Sequence, residues 1–305
     1  MLAVVLPRPG SADVLEFREL DKPTPADREV LVRIRAATVT RGDVALRRIP
    51  ALMWPLLRIG MGLQRKRILG HEFAGEVEAV GRAVTRFHPG DPVFGTTTGL
   101  AGGSHAEYVC VPEDGVLTAT PPNVTFEDAA AVPVGAMTAL RLLREAGVTA
   151  GTSVLVHGAS GSVGTFAVQL GRHHGAVVTG VCSTANVELV ASLGAATVID
   201  YTRRDYAAGD AVYDVVIDAA GKMSRQGARA LLADGGRFVS VRSAAGERAA
   251  DLALIASLLE QGAIRPVIDR SYPLERIQEA HRYVEAGHKV GNVVITLAGG
   301  SWALP

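Results

Sequence analysis

Val154-Leu155-Val156-His157-Gly158-Ala159-Ser160-Gly161-Ser162-Val163-Gly164 is the stretch whose reading decides the fold. An apolar strand runs into a glycine-spaced turn, and a helix is expected over residues 165–174. Small residues in such a turn let a phosphate approach the backbone, and free N–H groups at a helix start bind the anion. The next apolar run, residues 177–182, follows at the distance a βαβ unit requires. The spacing points to a dinucleotide site. The alternative is an ordinary glycine-rich turn of an α/β protein.

On the C-terminal side, and back to Phe126, helices alternate with short apolar runs at 153–157, 177–182, 197–199, 214–218 and 237–241. Val-rich runs of that length between helices indicate a parallel sheet covered on both faces. Before about Pro121 the chain reads as β-rich. Residues 29–36 alternate with the period of a half-buried strand, and 75–80 and 105–111 read likewise. Pro89-Gly90 and Pro121-Pro122 mark turns. After about Arg270 a helix over 274–285 and a strand over 293–297 are expected. The predicted domains are 1–121 plus 270–305, which is β-rich, and 122–269, which binds dinucleotide, with the cofactor cleft between them.

A chain of 305 residues that is 48% hydrophobic is long enough for two cores. Its net charge of +0 provides no global field for nucleic acid or an acidic membrane. No apolar run approaches the ~20 residues that span a bilayer. Met1 to Leu6 is closed by Pro7 and reads as a first strand, not a signal segment. The two cysteines, Cys110 and Cys182, lie in separate strand-like runs, so no disulfide framework is expected and a reducing cytoplasm is the default.

Three further segments sharpen the reading. Ile68-Leu69-Gly70-His71-Glu72-Phe73-Ala74-Gly75-Glu76-Val77-Glu78-Ala79-Val80-Gly81, Gly90-Asp91-Pro92-Val93 and Ala131-Val132-Pro133-Val134-Gly135-Ala136-Met137-Thr138-Ala139 occur in this order before the glycine loop. Together they resemble the medium-chain dehydrogenase/reductase superfamily, in its zinc-independent quinone oxidoreductase-like branch. The resemblance implies an α/β fold with a Rossmann-type doubly wound parallel sheet and a GroES-like β-rich domain. It implies an NADPH-dependent oxidoreductase that reduces a quinone, an enone or a related activated carbonyl or alkene by hydride transfer. One departure stands out. Val241 to Arg248 runs almost directly into a helix near Asp251, so the sixth strand of the family's nucleotide sheet is missing. That puts a possible homodimer and the substrate pocket in question. It keeps open a non-redox cyclase or isomerase acting on a natural product, or a nucleotide-sensing protein, on the same scaffold.

Zinc requires converging N and S donors. The positions that hold a catalytic zinc in zinc-dependent relatives are similar to Thr40, His71 and Val134 here, and a four-cysteine structural site has no counterpart. No metal is expected, the alternative being a site improvised from other residues such as Asp43, His71 and Glu72. His71 is then a hydrogen-bonded structural histidine, with a proton relay as the alternative.

Cofactor contacts are expected from Thr138, Ser160, Gly161, Ser162, Val163 and Gly164. NAD selectivity uses an acid at the end of the second strand. Cys182-Ser183-Thr184-Ala185-Asn186 has none, so Ser183, Thr184 and Asn186 favour NADPH. Ser183 and Asn186 are also plausible helix caps for residues 187–193. Tyr201 and Asn292, the latter in the turn that begins at Lys289, resemble family positions near the 2′-phosphate. Thr40 to Arg47 resembles the family's NPxDxxxR segment with Asn replaced by Thr, and that resemblance makes Thr40 and Asp43 the catalytic candidates, with Thr40 donating to a carbonyl or a ribose. For Asp43 the simpler reading is a helix-surface ion pair with Arg47. Residues 49–63 read as an apolar lid, a packed surface helix or a partner face. Met53, Trp54 and Met137 are the expected pocket for a small hydrophobic substrate. Gln64 to Arg67 is a solvated charge run, not a nucleic-acid or membrane surface.

Overall fold

The computed structural model describes residues 1–50, 52–53, 68–97, 102–206, 211–243 and 246–297. Trp54, most of the expected lid and the 64–67 charge run lie outside them. The chain divides into two compact units. One comprises Met1–Pro133, Glu247–Glu260 and Ile268–Pro305, and the other Val134–Gly246 and Gln261–Val267.

The first unit is built on strands. β1 (Leu2–Val5) and β2 (Glu16–Glu19) form a small antiparallel pair. The main sheet contains β3 (Glu29–Thr38), β4 (Glu72–Val80), β5 (Pro92–Thr96), β6 (Tyr108–Pro112) and β7 (Leu117–Ala119). From the C-terminal part it adds β13 (Ile268–Pro273) and β14 (Asn292–Thr296). The order is β13-β14-β3-β4-β5-β7, with β6 also on β3. β3 is more buried than a half-buried alternation predicts, because β14, β4 and β6 all pair with it. Val32, Ile34, Phe73, Val93, Val293 and Ile295 form its core.

Two helices of this unit position the site. α1 (Arg41–Arg47) follows β3 directly. The C-terminal helix α8 (Ile277–Ala286) buries Ile277, Ala280, His281 and Val284, the i, i+3, i+4, i+7 stripe of an amphipathic helix. It is preceded by a 3-10 turn at Leu274–Arg276, so the regular helix begins three residues after the expected start.

The second unit contains β8 (Ser153–His157), β9 (Val177–Cys182), β10 (Thr197–Asp200), β11 (Tyr213–Asp218) and β12 (Leu232–Ser240). All pairings are parallel, in the order β10-β9-β8-β11-β12. This is the doubly wound arrangement, in which the order reverses between β8 and β11. Among the described residues the sheet ends at β12, and no sixth strand follows. α2 (Phe126–Ala130) belongs to the first unit, and α3 (Pro133–Ala146) opens the second. α4 (Ser162–His173) starts three residues before the helix expected from the sequence. Gly164 to Gly171 are all buried, so α4 is a core helix and not an amphipathic one. Phe166 and Leu170 are fully buried and each stabilises the fold by roughly 1.5–3 kcal/mol. α5 (Val187–Ser192) and α6 (Arg225–Arg229) are short, and α7 (Ala249–Glu260) groups with the first unit. Among the described residues no helix is long and apolar enough to cross a membrane.

Candidate functional site

The second unit builds a nucleotide cradle at the carboxyl end of β8. Gly158 turns the chain with φ +80°, and both Gly158 and Ala159 donate their amides to the Val181 carbonyl at the end of β9. Gly161 is the N-cap of α4 and has no side chain to satisfy the first amides of the helix. A Cβ on Gly161 would meet only the Gly158 carbonyl oxygen, at 3.5 Å, so this position is open. A Cβ on Gly164 would meet the same oxygen at 2.1 Å and Ala159 Cα at 2.8 Å. Gly164 therefore lets the helix pack closely on the turn, which a side chain would prevent. An open helix N-terminus beside a glycine turn fits the pyrophosphate of a dinucleotide.

The end of β9 joins this cradle. Asn186 Nδ2 donates to Ser160 Oγ and Ser183 Oγ, both at 3.2 Å. Neither Ser183 nor Asn186 makes a side-chain cap, so the helix-capping reading fails. Residues 182–186 carry no acid, as read from the sequence, but a neighbouring strand brings one beside them. The register pairs Asp200 with Cys182, which brings the Asp200 carboxylate to Thr184 Oγ1 at 2.6 Å. Thr202 donates its hydroxyl and its amide to Asp200 at 2.6 and 2.9 Å. The Thr184 and Thr202 hydroxyls hold Asp200 below the usual carboxylate range. Arg203 Nε stands 3.7 Å from Asp200, whereas residues 182–186 carry no basic group. Tyr201 is exposed, with its amide on the Cys182 carbonyl. Val163 lies in the first turn of α4, and half-exposed Thr138 lies on α3.

At the switch point, His157 Nδ1 lies 3.0 Å from Asp218 Oδ1. Asp218 also accepts from the Lys222 and Met223 amides and from Ser240 Oγ, at 3.2, 3.1 and 3.1 Å. Burial pushes the Asp218 carboxyl up, but these donors outweigh it and keep the group anionic. It ties the loop after β11 to the strand ends. Sequence reasoning missed this residue, although an acid ending an apolar run was visible.

In the first unit, Thr40 and Asp43 form a capping box on α1. Asp43 N donates to Thr40 Oγ1 at 3.2 Å, and the Thr40 amide and hydroxyl donate to Asp43 Oδ2 at 2.8 and 2.6 Å. The Thr40 hydroxyl proton is thus committed to Asp43, which leaves the expected donation to substrate without its hydrogen. The Asp43–Arg47 ion pair is absent. Asp43 accepts instead from the Gly70 amide at 3.0 Å, and buried Arg47 pairs with Glu285 at 2.5 Å. Both residues are buried, so the helix-surface reading is corrected as well.

His71 is half-buried, with its carbonyl accepting from the Thr97 amide. The buried histidines are His105 and His281, with ring centroids 5.7 Å apart at 88°. His105 Nε2 lies 2.9 Å from the Thr38 carbonyl, which only accepts, so Nε2 carries the hydrogen. Gly70, at φ +90°, makes the space, since a Cβ there would lie 2.5 Å from the His105 ring. His105 Nδ1 and both His281 nitrogens have no hydrogen-bond partner. Burial pulls His281 down to about 3 and also lowers His105, despite the opposing charge of Asp43. Burial pushes Asp43 up, but the His105 ring and the Thr40 donors more than offset it and hold the carboxyl low.

Asn292 is buried at the start of β14. Met53 is exposed, whereas Met137 is only 5% exposed and packs in the core, which argues against its place in a substrate pocket. Among the described residues no three His, Cys, Asp or Glu side chains converge to hold a metal ion.

Comparison with known proteins follows this geometry. Residues 26–121 match the alcohol dehydrogenase GroES-like domain, and residues 193–295 match a family described as zinc-binding dehydrogenase. A 2-methylene-furan-3-one reductase of Solanum lycopersicum is 33% identical over 94% of this chain and 76% of its own length. An NADPH-dependent alkenal/one oxidoreductase of Arabidopsis thaliana, a chloroplastic protein, is 32% identical over 94% of this chain and 77% of its own. The solved quinone oxidoreductase from Coxiella burnetii superposes with a TM-score of 0.84 at 25% identity, covering 98% of this chain and 99% of that one. With its parallel nucleotide sheet, its GroES-like unit and these relatives, the chain belongs to the medium-chain dehydrogenase/reductase superfamily of nicotinamide-dependent oxidoreductases.

Proposed function

We propose that this chain is an NADPH-dependent, zinc-independent reductase of enones, quinones or related activated carbonyls and alkenes. The observation that carries the reading is the open helix N-terminus at Gly161, joined through Ser160 and Asn186 to the end of β9. The names of relatives that reduce an alkenal or a quinone support the substrate class. NADPH over NADH is supported by the Ser183 and Asn186 polar groups and by Arg203, whose guanidinium offsets Asp200. The nicotinamide supplies a hydride when bound. The chain's own part is to hold the pyrophosphate on the α4 amides, to orient both substrates and to manage the proton.

Zinc has no part in this reading. Thr40 is spent on Asp43, and Val134 has no donor atom. Elemental analysis giving one zinc per chain would overturn it. The activity test is the loss of NADPH absorbance with a simple enone and with a quinone, in chelator-treated protein. Calorimetry with NADPH and NADH tests the cofactor. A cytoplasmic, reducing location is supported by the low cysteine content, two residues carried on the separate strands β6 and β9, and cell fractionation tests it.

A further inference from the structure

In the second unit the nucleotide sheet ends, among the described residues, at β12. Its outer edge carries no further strand, so side chains that a neighbour would cover stay partly open. Leu232 and Phe238 on β12 are half-buried, packed on one side against the core that holds Val216, Met223 and Leu231. Beside them lies a cavity of about 680 Å³, a volume that suits a small organic molecule. Leu232 and Phe238 form its apolar wall, and Arg225, Gln226 and Arg229 of α6 form its polar one.

The local sequence builds that polar wall. Ser224 caps α6 by accepting the Gly227 amide at 3.0 Å, and buried Ala228 anchors the helix in the core. Residues four apart stand one above the other on a helix, so Arg225 and Arg229 share a face. Among the described residues neither guanidinium makes a hydrogen bond or an ion pair. Two like charges at this spacing repel each other, and no carboxylate of the described residues offsets them. A guanidinium presents its donors as a planar fork that matches a carboxylate or a phosphate. Gln226 adds an amide that both donates and accepts.

The cavity is separate from the nucleotide cradle. The strand order places β12 three strands from β9, about 14 Å at the usual spacing of neighbouring strands. The cradle lies at the carboxyl end of β8, whereas Leu232 pairs with Tyr213 at the start of β11. None of the five lining residues takes part in the hydrogen bonds of the cradle.

We propose that this cavity is a second ligand site, for a small amphiphilic oxyanion whose carboxylate or phosphate group is held by Arg225 and Arg229 and whose apolar body covers Leu232 and Phe238. The two chemistries together select the ligand. A bare inorganic anion leaves the Phe238 side of the cavity wet, and a neutral apolar molecule desolvates two guanidiniums without pairing them. A second copy of the chain fits less well, because a two-fold contact through this face brings four unpaired guanidiniums together. The site stands independently of the reductase reading.

The test is calorimetry with 4-phenylbutyrate and with phenyl phosphate, the tighter of the two identifying the head group. Wild type is expected to bind at least one of them saturably, one per chain, about tenfold more tightly than 4-phenylbutyramide or inorganic phosphate. Saturating NADPH should leave that binding unchanged. Both arginines are exposed, so Arg225→Gln with Arg229→Gln should keep the wild-type melting temperature, and it should bind the probe about 100-fold more weakly. On the wild-type chain, NMR should show cross-peaks between the ring of the probe and the ring of Phe238. No saturable binding of either probe overturns the proposal. So does equal affinity for the neutral amide, undiminished binding in the double variant, competition by NADPH, or a Phe238 ring that a saturating probe leaves unmoved. Dimerisation that buries Phe238 and excludes the probe assigns the face to a second copy and overturns it likewise. Enone and quinone reduction play no part in these readouts, so a failure here and a failure of the reductase reading are separate results.

Discussion

The Asp200 carboxylate accepts the Thr184 hydroxyl at 2.6 Å, across two neighbouring parallel strands. An acid thus stands at the end of β9 although none is encoded there, and Arg203 lies 3.7 Å from it. The two side chains act in opposite directions on a 2′-phosphate. Asp200→Asn is expected to raise the NADPH-to-NADH affinity ratio roughly tenfold, and Arg203→Ala to lower it. Calorimetry with both nucleotides checks this, and a ratio unmoved by either change would reject the assignment.

The glycines of the loop separate by substitution. Gly161→Val should fold with a wild-type melting temperature and lose nucleotide binding, because its Cβ meets no nearer protein atom than the Gly158 oxygen at 3.5 Å. Gly164→Val should fail to fold, because its Cβ would stand 2.1 Å from that oxygen. Circular dichroism with calorimetry distinguishes the two outcomes.

Asp43 ties α1 to the Gly70 turn. Asp43→Ala removes the acceptor for the Thr40 amide and hydroxyl and for the Gly70 amide, and is expected to cost about 3 kcal/mol in urea unfolding. Asp43→Asn should cost less, since one amide oxygen still accepts. Turnover should fall moderately in both, because Asp43 positions α1 and the Gly70 turn and carries no bond chemistry.

The His105–His281 pair makes the fold acid-sensitive. His281 has a folded value of about 3 against 6.5 for the free side chain, so the unfolded chain binds the extra proton between them. Stability is full above pH 6.5 and falls as pH drops toward 3, by up to about 1.4 kcal/mol per pH unit for this group. His105, also lowered, adds in the same direction. His281→Leu removes two unpartnered buried nitrogens and should flatten the acid limb of a denaturation series. An equally steep limb in that variant would place the effect elsewhere.

Elements with a strong local signal were legible from the residues. The run from Val154 to Gly164 became β8, the turn and α4, because strand, glycine turn and helix start are each written locally. Thr40 and Asp43 carried a capping signature that was also local, yet the i, i+4 spacing to Arg47 suggested an ion pair in its place. Burial decided between them. A carboxylate shielded from water takes the donors closest to it, and those are Thr40 and Gly70.

By itself, the sequence determined the family, the parallel nucleotide sheet, the end of that sheet at β12 among the described residues and the glycine cradle, since each depends on residue type and spacing along one stretch of chain. The tertiary structure alone decided which distant residues share an environment. Asp200 reaches Thr184 only through strand register. His105 meets His281 only because α8 packs its apolar stripe onto the sheet. Thr38 reaches Glu72 only because β4 flanks β3 in antiparallel order. Such contacts arise from packing between segments remote in the chain, and no local pattern encodes them.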